Sequence, residues 1–265
     1  MQMLSRLAAA LISTLPFVGS AALAAPYDGS SAANAGLSAA QILKDYAAST
    51  TGIYWIDFDG AGAGAAQQIY ADMTTAGGGW MLVRHSAATG GWINVNDSLR
   101  GTASLNTALA TDPLAAASWT IPFASNGADK YLFMTGDQTT WGVLAGADVL
   151  RNTAETYTPN ATVLASQGTA VAAGSMTNVL NRTTNVEDPW IGFEGSHFAN
   201  IPKMMYGEAD FGGAHVTFKN AHQGANVFVR ELNPLAAPVP EPGTFGMLAL
   251  GGMVVAAVAR RRRPS

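Results

Sequence analysis

Tyr70-Ala71-Asp72-Met73-Thr74-Thr75-Ala76-Gly77-Gly78-Gly79-Trp80 is the stretch on which the fold turns. Gln67 to Met73 and Trp80 to His85 read as two strands. Between them, three consecutive glycines permit positive φ and close backbone approach, so the pair reads as a hairpin with a glycine-rich turn. Trp80 follows directly and is expected to fill the space beneath the turn. Asp72 stands where a short acidic side chain can accept hydrogen bonds from turn amides.

Outward from the hairpin, Ile53 to Phe58 is β-branched and aromatic and predicts another strand. Ser38-Ala39-Ala40-Gln41 reads as a capping box opening a short helix that ends near Ala48, with Ile42, Leu43 and Tyr46 on its apolar side. Downstream, strands are expected at Lys130–Thr135, Trp190–Phe193, His215–Lys219 and Asn226–Glu231. Short helices are expected at Leu105–Ala110 and Asp148–Asn152. The fold class expected from this mixture is α+β: a twisted, mostly antiparallel sheet with short helices and long loops.

The two ends carry signals of another kind. Arg6 is the only charge before Asp28, an apolar run follows it, and Ala22-Leu23-Ala24 has the small-x-small form of a cleavage site. Residues 1–24 are therefore expected to be a signal peptide, engaged by the Sec export machinery and signal peptidase, with a linker over 25–37. At the other end, a linker over 232–239 leads to Pro240-Glu241-Pro242. Seventeen uncharged residues follow, Gly243 to Ala259, and then Arg260, Arg261, Arg262 and Arg263. Such a run is at the lower limit for a transmembrane helix, and the arginines would stay on the cytoplasmic side. This three-part tail, residues 240–265, resembles the PEP-CTERM sorting signal of Gram-negative bacteria. The resemblance implies recognition by an exosortase, a transient inner-membrane anchor, and then delivery to the cell surface or extracellular matrix.

Composition agrees with an exported single domain over 38–231. The chain has 14 basic and 18 acidic residues; without Arg6 and the four tail arginines, about nine basic residues face eighteen acidic ones. That balance argues against nucleic acid as a partner. Cysteine is absent, which excludes disulfides, thiolate metal sites and cysteine nucleophiles. Gly60-Ala-Gly62-Ala-Gly64-Ala65 meets a loose dinucleotide pattern, but strand-like residues follow it instead of a helix. No G-x-S-x-G elbow and no H-E-x-x-H motif occurs, and His85, His197, His215 and His222 are scattered.

The run from 38 to 85, with Gly52-Ile-Tyr-Trp-Ile-Asp57 and then Tyr70, Asp72, Gly77, Gly78, Gly79 and Trp80 in register, resembles the opening of fibrinogen C-terminal-like domains. Ala71 stands where that family has a cysteine. Gly212-Gly213-Ala214-His215-Val216 followed by Asn226-Val-Phe-Val-Arg230 resembles the ending of the intelectin branch. That resemblance implies a calcium ion beside His215 that chelates a sugar diol, with Glu208 and Asp210 as nearby oxygen donors. The functional expectation is a non-enzymatic surface or matrix module that binds carbohydrate, an exopolysaccharide glycan, with Ca2+. A secreted hydrolase and a purely structural matrix protein are the alternatives.

Overall fold

A computed structural model describes residues 27–60, 64–89, 99–123, 128–151, 160–168, 171–181, 189–193, 204–207 and 223–231. Helix α1 (Ala39–Asp45) precedes strands β1 (Gly52–Ile56), β2 (Gln67–Asp72) and β3 (Trp80–Ser86). Next come β4 (Trp119–Thr120), β5 (Ala128–Thr135), β6 (Trp141–Ala145) and the single-turn α2 (Gly146–Val149). The remaining strands are β7 (Ala161–Thr162), β8 (Ala165–Gln167), β9 (Met176–Leu180), β10 (Trp190–Phe193), β11 (Met204–Tyr206) and β12 (Ala225–Glu231).

Eight strands form one antiparallel sheet in the order β1-β2-β3-β12-β5-β6-β8, with β4 beside the far half of β3. Four more form a second sheet, β11-β10-β9-β7. The expected α+β class is therefore corrected: the described protein is mostly β. Its two α-helices contribute little to the core, chiefly Ala39, Ile42, Gly146 and Val149, whereas the strands supply most of the buried apolar residues. Aromatic and β-branched side chains favour the pleated surface, and no described stretch sustains helical periodicity beyond two turns. Leu105–Ala110 is a strand-like bridge from Leu105 to Thr120 followed by one 3-10 turn, Thr107–Leu109. The helix expected at Asp148–Asn152 is the single turn α2, begun two residues earlier. The strand expected at His215–Lys219 lies outside the described residues.

The main sheet buries both faces. A bulge in β3 matters here: Phe228 of β12 pairs with Leu82 and Val227 with Arg84, so Val83 is the extra residue. The bulge shifts the alternation by one and puts His85 on the same face as Trp80 and Leu82. The opposite face carries Tyr131 and Phe133, and Phe133 meets the second sheet through Phe193 and Tyr206, with Phe133–Tyr206 centroids 5.1 Å apart. Gly142 is required at this contact, because a Cβ there would lie 2.7 Å from the Phe193 ring.

Part of the expected linker covers the open side of β1. Trp55 N–H donates to Gly29 O at 2.8 Å, Gly36 N–H to Trp55 O at 3.1 Å, and Asp57 N–H to Gly36 O at 2.9 Å. An edge strand is thereby closed along its second half.

Candidate functional site

The hairpin read from the sequence forms, and its turn is knotted from both sides. β2 and β3 pair through Ala71–Met81 and Asp72–Trp80. Asp72 is 6% exposed, and its Oδ1 accepts from Thr74 N–H at 2.8 Å, the Thr74 hydroxyl at 2.9 Å and Thr75 N–H at 3.0 Å. The Thr51 hydroxyl, from the residue just before β1, adds a longer contact at 3.4 Å while accepting from Met73 N–H at 3.0 Å. Burial pushes the Asp72 carboxyl up, but the hydrogen bonds from Thr75 and Thr74 outweigh it and hold the pKa below the ordinary aspartate value.

The glycines then let the backbone double back. Gly77, Gly78 and Gly79 have φ of +91°, +71° and +77°. A Cβ on Gly78 would lie 2.2 Å from Met73 O, and one on Gly79 would lie 2.8 Å from Cα of Ala40 in α1. The helix can dock only because these side chains are absent. Beneath the turn, Trp80 is fully buried and its Nε1–H donates to Thr75 O at 2.7 Å.

Arg230 closes the knot from β12. Its guanidinium carbon lies 4.5 Å from the centroid of the Trp80 ring, and Nη1 donates to the carbonyls of Ala76 and Gly78, each at 3.3 Å. Burial lowers the Arg230 pKa, and the Asp129 carboxylate opposes that shift. Tyr70 packs its ring against Phe228 at 6.4 Å; burial raises its pKa, a hydrogen bond from Gln138 works against the rise, and the Asp72 charge adds to it. The structure thus brings Tyr70, Asp72, Gly77, Gly78, Gly79 and Trp80 together around one turn. Their polar atoms are largely consumed by internal partners, which makes this constellation a fastening of the fold.

The other expected site residues, His215, Glu208 and Asp210, lie outside the described residues. So do Pro240, Glu241, Pro242 and Arg260 to Arg263. Among the described residues, no group of three or more His, Asp or Glu side chains converges as a metal site, and no helix is long and apolar enough to cross a membrane.

Three polar arrangements escaped sequence reasoning. Asp57 accepts from the amides of Asp59 at 3.3 Å and Gly60 at 3.1 Å, while Asp59 accepts from Gly64 N–H at 3.0 Å. Burial, followed by the neighbouring Asp59, raises the Asp57 pKa; the Gly64 amide and Asp57 lower that of Asp59, so Asp57 is the carboxyl that takes up a proton first. The D-x-D-G spacing of Asp57-Phe58-Asp59-Gly60 was the available signal. The second arrangement is fully buried. His85 Nδ1 lies 2.7 Å from Asn226 Oδ1 and its Nε2 3.0 Å from Ala115 O, and Asn226 donates to Pro113 O at 3.1 Å. No local pattern could announce partners 141 residues apart. The third is Arg230 itself, paired with Trp80 across a similar separation.

Comparison with known proteins bears on the end of the chain. Residues 238–263 match the PEP-CTERM protein-sorting motif. The motif marks an exported protein that an exosortase sorts, directed to the bacterial cell surface. No curated protein matches the sequence. The resemblance to fibrinogen C-terminal-like domains gains no support from these comparisons and rests on the sequence run from 38 to 85.

Proposed function

We propose that this protein is a non-catalytic cell-surface module whose β-sheet domain binds carbohydrate of the exopolysaccharide matrix. The sorting motif over 238–263 carries the reading, because it marks delivery to the surface on which such a ligand lies. The sequence cluster Glu208, Asp210 and His215, set among Gly207, Gly212 and Gly213, supplies the candidate ligand site. Carboxylates and turned backbone carbonyls suit calcium, and a calcium ion accepts sugar hydroxyls as neutral ligands.

A glycan array probed with the mature domain, with and without millimolar calcium, tests this. Calcium-dependent binding should appear, and Asp210→Ala should weaken calcium binding about tenfold, about 1.4 kcal/mol, in calorimetry. Absence of both glycan and calcium binding would overturn the proposal.

One observation favours a second reading, a purely structural matrix component. The most specific motif of the domain, from Asp72 to Trp80, spends its polar groups on Thr51, Thr74, Thr75 and Arg230. A protein whose distinctive residues serve its own fold needs no ligand to account for them. On that reading the array stays blank, while deletion of the protein weakens the matrix mechanically.

A further inference from the structure

The strand that closes the main sheet is the last in chain order among the described residues. β12 lies between β3 and β5, paired with β3 from Ala225–Ser86 to Val229–Met81 and with β5 from Ala225–Thr135 to Glu231–Ala128. Every residue from Ala225 to Val229 is buried. Without β12 the sheet falls into two pieces, β1-β2-β3 with β4 and β5-β6-β8, each ending in an unpaired, largely apolar edge. The same strand completes two features prepared far upstream: Asn226 meets His85, and Arg230 caps Trp80.

Its position relative to the sorting motif is equally specific. Six residues, 232–237, separate Glu231 from Pro238, where the motif match begins. The seven Cα–Cα steps from Glu231 to Pro238 span at most about 25 Å when fully extended. A chain that crosses an export channel from its N-terminus delivers β12 only when the sorting segment is next to enter.

We propose that β12 is a keystone strand whose late arrival keeps the domain open during export. The two halves of the sheet remain apart until residues 225–231 have crossed, and the domain then closes as one body within about 25 Å of the sorting segment. The order of elements, with the central strand last, acts as a timing device that links completion of the fold to arrival of the tail. This inference rests on the export reading of the motif.

Three versions of the full chain test it by hydrogen exchange: the native order, a deletion of 225–231, and a permuted chain. In the last, 225–231 is moved ahead of residue 27 through a Gly/Ser linker. Residues 29–36 lie along the far side of β1, four strand spacings or roughly 19 Å from β12, and about fifteen flexible residues span that distance. The native chain should protect the amides of β3 and β5, the deletion should lose that protection in both strands, and the permuted chain should regain it. In cells, pulse-labelled permuted chain should become protease-resistant sooner than the native chain. Protection of β3 and β5 in the deletion, failure of the permuted chain to regain it, or equal timing of resistance would each overturn the proposal. Failure of the export reading is distinguishable, because the labelled chain would then stay inaccessible to protease added to intact cells.

Discussion

Replacing Trp80 by alanine probes the hairpin knot directly. Trp80 is fully buried, so truncation removes a large packed side chain, a change that costs about 3–5 kcal/mol. Its Nε1–H···O bond to Thr75 is lost as well, about 1 kcal/mol. The stacked Arg230 guanidinium loses its ring, a further loss of about 0.5–1 kcal/mol at this half-buried position. These overlap, and about 4–6 kcal/mol is the expected total, against a typical domain stability of about 5–15 kcal/mol. Urea denaturation of the mature chain at neutral pH should show Trp80→Ala unfolding at far lower denaturant or unfolded at the outset. Trp80→Phe, which keeps an aromatic ring over Arg230 but not the hydrogen bond, should cost about 1–2 kcal/mol. A Trp80→Ala protein within about 1 kcal/mol of the parent would refute the assignment of Trp80 as the anchor of this turn.

Two more perturbations address the same turn. Asp72 is held below the ordinary aspartate value, so the unfolded chain takes up this proton first as the pH falls. Its stabilising contribution is complete above about pH 5 and is lost below about pH 4, as the pH drops through the unfolded value toward the folded one. Denaturation midpoints measured from pH 6 to pH 3 should fall less steeply in Asp72→Asn than in the parent; identical slopes would contradict the assignment. Gly78→Ala should destabilise far more than Gly174→Ala. Both glycines have positive φ, which costs an alanine about 1–2 kcal/mol. Only at Gly78 does the added Cβ also meet a backbone oxygen, at 2.2 Å, whereas the space around Gly174 is open. Equal melting temperatures for the two variants would show that the turn relaxes to accept a side chain.

The parts of this fold legible in the sequence were those fixed by neighbours along the chain. Gln67–Met73 and Trp80–His85 read as strands and form β2 and β3, and Asp72 reads as a turn acceptor and is one. Ser38 caps α1 through Gln41 N–H at 3.1 Å, yet the Gln41 side chain turns to Asp45 instead of back to Ser38. The helix stops at Asp45 rather than near Ala48, because Tyr46 leaves the helical region with φ −128° and ψ 75°. What local pattern could not convey was partnership at a distance. Ala165-Ser166-Gln167 has little strand propensity and is a strand because β6 pairs with it. The placement of β12 between β3 and β5 has no signal in its own seven residues. Arg230 reads as an ordinary strand cation, and its role depends on a tryptophan 150 positions earlier. The α+β expectation failed because the short runs with helical character stay short: Leu105–Ala110 forms a bridge at Leu105 and one 3-10 turn, while the strands supply most of the core.

A role at the cell surface requires the chain to be exported and sorted by its tail. Intact-mass analysis of the protein recovered from the cell surface or the medium tests that most directly. The expected species begins at Ala25 and ends near Pro242, without the apolar run and the arginines from Arg260 to Arg263. Recovery of the unprocessed 265-residue chain there, or its confinement to the cytoplasm, would contradict the account.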